Sequence, residues 1–150
     1  MSPPRSCRTS CKANLVLGIR IADETWVAAP QAALAAVIGD EVRWPAWWPD
    51  LQLAVTERRG LLGVRWAVAA TNRGMAATGS MEVWLLGCPD GVLLHYFLRL
   101  DPVDPQTSVR RVRRAGERHR RHARHVCWAI KDELEARPGP AVDDGKPRRR

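Results

Sequence analysis

His119, His122 and His125 recur at three-residue steps inside the most basic stretch of the chain, and imidazoles at such spacing first raise the question of a metal. At 3.6 residues per turn His119 and His122 share a helix face, but His125 drifts about 60° further round. The nearest carboxylate is Glu117. A structural zinc site brings four ligands in two close pairs, which this set lacks, so no metal is expected here. A solvated helix face that gains charge at mildly acidic pH accounts for these histidines.

Acid–base chemistry has two further candidates. Asp23 falls on the inward register of an alternating run, and His95 on the outward register of another. A general acid or base must lie in a pocket within reach of the proton it moves. Both residue types at such positions also serve as ordinary solvated or edge groups. No Ser-His-Asp or Cys-His set with a recognisable motif accompanies them, so no nucleophile is assigned. Cys7, Cys11, Cys88 and Cys127 are scattered, with Cys7-x3-Cys11 lacking a second close pair. They read as reduced thiols of a cytoplasmic protein, and no cofactor is expected.

The net charge of +8 is unevenly placed. Between Gly18 and Asp104, seven arginines stand against ten acids, a balance of −3. From Pro105 to Arg124 there are eight arginines and one acid, a balance of +7. Arg110, Arg111, Arg113 and Arg114 open that run and could contact phosphates of an anionic membrane surface or of nucleic acid. Such runs are also commonly solvated faces. No base-reading motif accompanies them, so the membrane ranks above nucleic acid.

The elements that must position these groups follow from periodicity. The 150 residues suit one domain. Residues 1–17 and 137–150 are rich in Pro, Ser, Arg, Gly and Asp and read as disordered tails around a domain at 18–136. No apolar stretch approaches the length of about eighteen residues needed to span a membrane, and no secretory leader is evident.

Ile19, Ile21, Asp23, Thr25 and Val27 alternate with Arg20, Ala22, Glu24 and Trp26 as a first strand. Pro30 stops it. Leu34, Val37 and Ile38 then recur at helical spacing. Gly39-Asp40 ends that helix, and Arg43-Trp44-Pro45 starts a second, compact turn with proline where a missing amide hydrogen is harmless. Trp44, Trp47 and Trp48 crowd into it.

A second strand carries Leu51, Leu53 and Val55, and a third places Leu62, Val64, Trp66 and Val68 on one face. Asn72-Arg73-Gly74 supplies turn chemistry before a fourth strand with Met81, Val83 and Leu85. Cys88-Pro89-Asp90-Gly91 turns into a fifth, with Leu94, Tyr96, Leu98 and Leu100 facing inward. Pro102 and Pro105 end the sheet. From Thr107 or Ser108 a helix runs to Ala136, its stripe made by Val112, Ala115, His119, Ala123, Val126, Ile130 and Leu134. The class is α+β.

The sequence around Ala28-Ala29-Pro30, the segment Arg43-Trp44-Pro45-Ala46-Trp47-Trp48-Pro49, the meander and the long closing helix together resemble the START-like helix-grip superfamily. This is the SRPBCC group, labelled polyketide cyclase/dehydrase and lipid transport. Val83-Trp84-Leu85, Leu94 to Arg99 and Trp128 to Leu134 are similar to small members from high-GC bacteria. The likeness covers residues 19–136.

The resemblance implies a curved antiparallel sheet wrapped on the C-terminal helix, with the two short helices closing one end of an apolar cavity. Five strands are counted where most relatives have six or seven, so one side of the grip is expected to be more open. Covering such a side by pairing would make a homodimer. The implied activity is binding or transport of a small hydrophobic ligand, such as a lipid, sterol or polyketide. The alternative is a polyketide cyclase or dehydratase using the same cavity. Trp47, Trp48, Trp66, Met81, Tyr96, Val126 and Ile130 are the expected lining, with Tyr96 as the polar handle. The same residues would equally serve to fill a core.

Overall fold

A computed structural model describes residues 17–70 and 75–137. The expected tails lie outside the described residues except for Leu17 and Arg137, as do the expected turn at Asn72-Arg73-Gly74 and the pair Cys7 and Cys11.

The chain order is β1 (Ile19–Val27), α1 (Gln31–Ile38), α2 (Trp44–Trp47), β2 (Leu51–Arg58), a single 3-10 turn (Gly60–Leu62), β3 (Gly63–Ala70), β4 (Ala77–Cys88), β5 (Gly91–Pro102) and α3 (Val109–Glu135). All neighbouring strands pair antiparallel in the order β1-β5-β4-β3-β2. Hairpins join β2 through β5, and β1 closes against the far side of β5. The result is the expected α+β helix-grip, a curved five-stranded sheet with one long C-terminal helix against it.

Period-two alternation sends Ile21, Val27, Val64, Trp66, Val68, Met81, Val83, Leu85, Leu94, Tyr96, Leu98 and Leu100 to one buried face. On α3, Val112, Ala115, Ala123, Val126, Ile130 and Leu134 form the stripe that meets it, with Cys127 alongside. The Ser108 hydroxyl caps this helix by accepting from the Arg111 amide at 3.3 Å. Among the strands, α3 lies closest to β1. The β2 and β3 side of the sheet is therefore left to the tryptophans of the α2 segment.

Two positions differ from the sequence expectation. Leu62 belongs to the 3-10 turn and is 44% exposed, because the chain turns at Gly60 and Gly63, both at positive φ, before β3 begins. Val55 is 38% exposed: β2 is an edge strand, its register slips between Val55 and Glu57, and α3 does not reach over it. The sheet ends at Pro102 as expected, the last residue of β5, opposite Ala77. Strand β1 reaches only as far as Leu100, so one flank of Pro102 has no strand to serve.

No helix among the described residues is long and apolar enough to cross a membrane.

Candidate functional site

Pro45 sits in the first turn of α2 and holds a four-residue helix that would be too short to persist alone. Its stability comes from where the indoles go. Trp44 donates its Nε1–H to the Ile38 carbonyl at 2.8 Å and meets Trp66 edge-on, centroids 5.1 Å apart at 89°. Trp48 packs on Trp66 at 5.9 Å and stacks on Tyr96 at 6.5 Å and 16°. Trp47 stands edge-on to Trp48 at 5.5 Å and is only half-buried.

This cluster divides the expected lining into two groups. Trp66, Met81, Tyr96, Val126 and Ile130 all lie in the closed core. Trp66 and Met81 are register partners on β3 and β4. Burial, and after it Cys127, raises the Tyr96 phenol, which therefore stays protonated. The Cys127 thiol is likewise pushed up to about 12 by burial first and by Asp23 second. Trp48 alone among the seven belongs both to the core and to open space.

That space is a cleft of about 530 Å³ between the Trp48 to Leu51 segment, the end of β3 at Ala70, and α3. Trp48, Pro49, Leu51 and Ala70 give it apolar surface, while Asp50, Arg118, His119, Arg121 and His122 give it polar surface. A second hollow of about 380 Å³ shares Trp48, Pro49 and Leu51 and continues over Trp44, Leu53 and Val55. The indole nitrogens of Trp48 and Trp66 are buried without a hydrogen-bond partner. Each is an unused donor behind the shared wall, a state that costs about 1–3 kcal/mol.

Two of the three histidines come to the cleft. His122 Nε2 meets the Trp47 carbonyl oxygen, which requires the ring proton on Nε2. Burial first, then Arg118 and also His122, lower His119 below its ordinary value, with Asp50 opposing. His119 is therefore neutral at neutral pH. His125 turns outward into solvent, and among the described residues no three metal-ligating side chains gather.

The other acid–base candidates lie elsewhere. Asp23 faces α3 and takes Arg124 at 3.1 Å. His95 stays on the outer face of the sheet, 3.0 Å from Glu24 and stacked on Phe97. Arg110, Arg111, Arg113 and Arg114 are exposed on the first turns of α3. Among the residues that line the cleft, Asp50 and Ala70 carried no signal in the sequence. Arg118 and His122 were marked in the sequence as members of the arginine run and the histidine triplet, but not as neighbours of Asp50 and Ala70.

No protein-family model and no curated protein matches the sequence. Solved structures do match in shape. The Aha1 dimer from Colwellia psychrerythraea superposes with a TM-score of 0.53 at 12% identity, over 81% of this chain and 99% of that one. The di-domain ARO/CYC protein StfQ of the steffimycin biosynthetic pathway gives 0.51 at 13% identity, over 80% of this chain. The fold is START-like. This chain spans 51% of the length of StfQ. TTHA0849 of Thermus thermophilus, covered over 97% of its length, gives 0.51 at 12% identity. The START-like likeness at these identities is one of fold.

Within this START-like frame the interior of the chain is filled. Bulky Trp66, Tyr96 and Met81 occupy the space between sheet and helix, and the opening lies at the β2 side.

Proposed function

We propose that the protein binds and carries a small hydrophobic molecule, such as a lipid, sterol or polyketide, in the cleft between α3 and the β2 side of the sheet. The observation that supports this most directly is Trp48: 4% exposed, stacked on the core, and yet forming the wall of a 530 Å³ opening. Apolar pockets of a few hundred Å³ with a few placed polar groups are the usual form of small-molecule sites. Rotation of Trp48 would join the cleft to the second hollow and bring Trp47, Trp66, Tyr96, Met81, Val126 and Ile130 within reach of a ligand. It would also expose the two unused indole donors to the ligand's oxygens. The free thiols of Cys88 and Cys127 suit a cytoplasmic carrier. Native mass spectrometry of the purified protein tests this reading. A retained lipid, sterol or polyketide supports it, and a protein that neither retains such molecules nor responds to them in tryptophan fluorescence overturns it.

The enzymatic alternative, a polyketide cyclase or dehydratase, draws on the likeness to StfQ. In this chain it would have to rest on His119, the neutral imidazole at the cleft, because Asp23 and His95 are engaged elsewhere. Turnover of a poly-β-ketone that disappears in His119→Gln would replace the carrier with an enzyme.

A second reading concerns the outer side of α3. Arg110, Arg114, His125 and Trp128 fall within about 60° of one another, opposite the buried stripe. Trp128 is 60% exposed there. The first turn of the helix holds no acid, and basic residues at a helix N-terminus oppose its dipole. Charge placed against helix stability, beside an exposed indole, suits docking on an anionic membrane. Replacing Arg110, Arg111, Arg113 and Arg114 with Gln should then weaken binding to anionic vesicles by up to about 1 kcal/mol per residue. A reduced salt slope on DNA without any vesicle response would assign the helix to nucleic acid instead.

A further inference from the structure

The arginines of the middle of α3 are not equivalent. Arg120 and Arg124, which point away from the cleft, are neutralised by Glu117 at 2.7 Å and Asp23 at 3.1 Å. Arg118 and Arg121 line the cleft and make no ion pair among the described residues. Asp50 adjoins the same space and has a partner of its own. Facing Arg118 and Arg121 are the apolar surfaces of Trp48, Leu51 and Ala70. Among the described residues the helix side of the cleft is thus cationic, and most of the opposite side is apolar.

A wall of that kind sorts ligands by their ends. A neutral hydrocarbon would cover Arg118 and Arg121 without replacing their lost water, at a cost. A molecule ending in an acid would instead satisfy them through charge-assisted hydrogen bonds while its body covers the indole.

We infer, resting on the cleft-binding reading above, that the molecule taken here is an amphiphilic anion: a hydrophobic body ending in an acid group, held between Arg118 and Arg121, with the body on Trp48, Leu51 and Ala70. His119 stands beside that group as a neutral hydrogen-bond donor, and His122 is fixed to the Trp47 backbone as the neighbouring side wall. Specificity in this arrangement lies at the acid end, and the apolar end tolerates variation.

Three probes of matched chain length test it: dodecanoate, methyl dodecanoate, and dodecyl phosphate at mildly alkaline pH where it is dianionic. Binding to the full chain is followed by tryptophan quenching and calorimetry. The wild-type protein should take dodecanoate about tenfold or more tighter than the ester, the factor expected for one charge-assisted contact. Dodecyl phosphate should likewise bind tighter than the ester, and whichever of the two acids binds tighter names the terminal group. In Arg118→Gln/Arg121→Gln the acid should fall to the level of the ester, while ester binding stays unchanged. Arg110→Gln/Arg114→Gln, remote from the cleft, should keep the full preference.

Equal affinity of the wild type for acid and ester overturns the inference and leaves the cleft-binding reading standing. Preference surviving in Arg118→Gln/Arg121→Gln, or lost equally in the remote variant, overturns it too, because the general field of the helix would then be responsible. If neither acid nor ester binds at all, the cleft-binding reading itself fails. The comparison of acid with ester in the wild type needs no variant to fold.

Discussion

Trp48 lies nearly parallel to Tyr96, ring centroids 6.5 Å apart with 16° between planes, and its other edge forms the wall of the cleft. One side chain therefore belongs to both stability and binding.

Trp48→Ala should be costly, because it removes packing on Trp47, Trp66 and Tyr96 together. A loss of about 3–5 kcal/mol in urea unfolding is expected, the range for large aromatic truncations in a core. Trp47→Ala should cost clearly less, since that ring is half-buried. Near-zero losses in both variants would contradict the placement of the cluster.

Arg43, just before α2, grips Glu133 of α3 through two hydrogen bonds of 2.8 and 3.2 Å. The pairing with Arg43 holds the Glu133 carboxyl below its ordinary range, with its modest burial opposing. A folded-state value below the unfolded one stabilises above the unfolded value and is lost as pH falls through the folded one. Glu133→Gln should accordingly lower the melting temperature at neutral pH. The difference from wild type should shrink through the acidic range and vanish once the folded-state carboxyl is protonated. A difference that stays constant into strong acid would assign the effect to shape rather than charge.

Gly60 and Gly63 bracket the 3-10 turn at φ of 56° and 116°, but only one of them is crowded. A side-chain carbon at Gly63 would fall 1.9 Å from the Val83 carbonyl oxygen, whereas one at Gly60 would meet nothing within 4 Å. Gly60→Ala should cost about 1–2 kcal/mol, the left-handed backbone penalty alone. Gly63→Ala should cost more, because β3 and β4 would have to part. Equal losses in denaturant titrations would mean that the close approach of Gly63 to β4 carries no weight.

Every residue of the apolar cluster lies between Leu17 and Leu134. A chain restricted to residues 17–137 should therefore unfold in one cooperative transition and keep the near-ultraviolet signal of its buried tryptophans. Broad, non-cooperative melting of that chain would show that the core needs segments beyond those limits.

Much of this fold is written locally. Period-two alternation identified the inward faces of β1, β3, β4 and β5, the i, i+3, i+4 stripe identified the inner side of α3, and Pro45 and Ser108 mark helix starts by what they do to backbone amides. Leu62 and Val55 were the exceptions: Leu62 belongs to the 3-10 turn before β3, and Val55 points as read but has no layer over it. Alternation states which way a side chain points, but whether anything stands opposite depends on where the next layer lies.

The same limit applies to the site. That Trp66, Met81, Tyr96, Val126 and Ile130 face inward was legible from spacing, whereas between Trp47 and Trp48 the choice stayed open. Which of them fills space and which borders it was not. That was decided by α3 lying toward β1 and leaving the β2 side to Trp48. Arg118, His119, Arg121, His122 and Asp50 met there through the same accident of layer position, across some seventy residues of chain. A helix's inclination over a sheet is set by the sum of many packing contacts, none of which has a local signature, so composition and periodicity determined the layers and only their docking decided where the molecule is open.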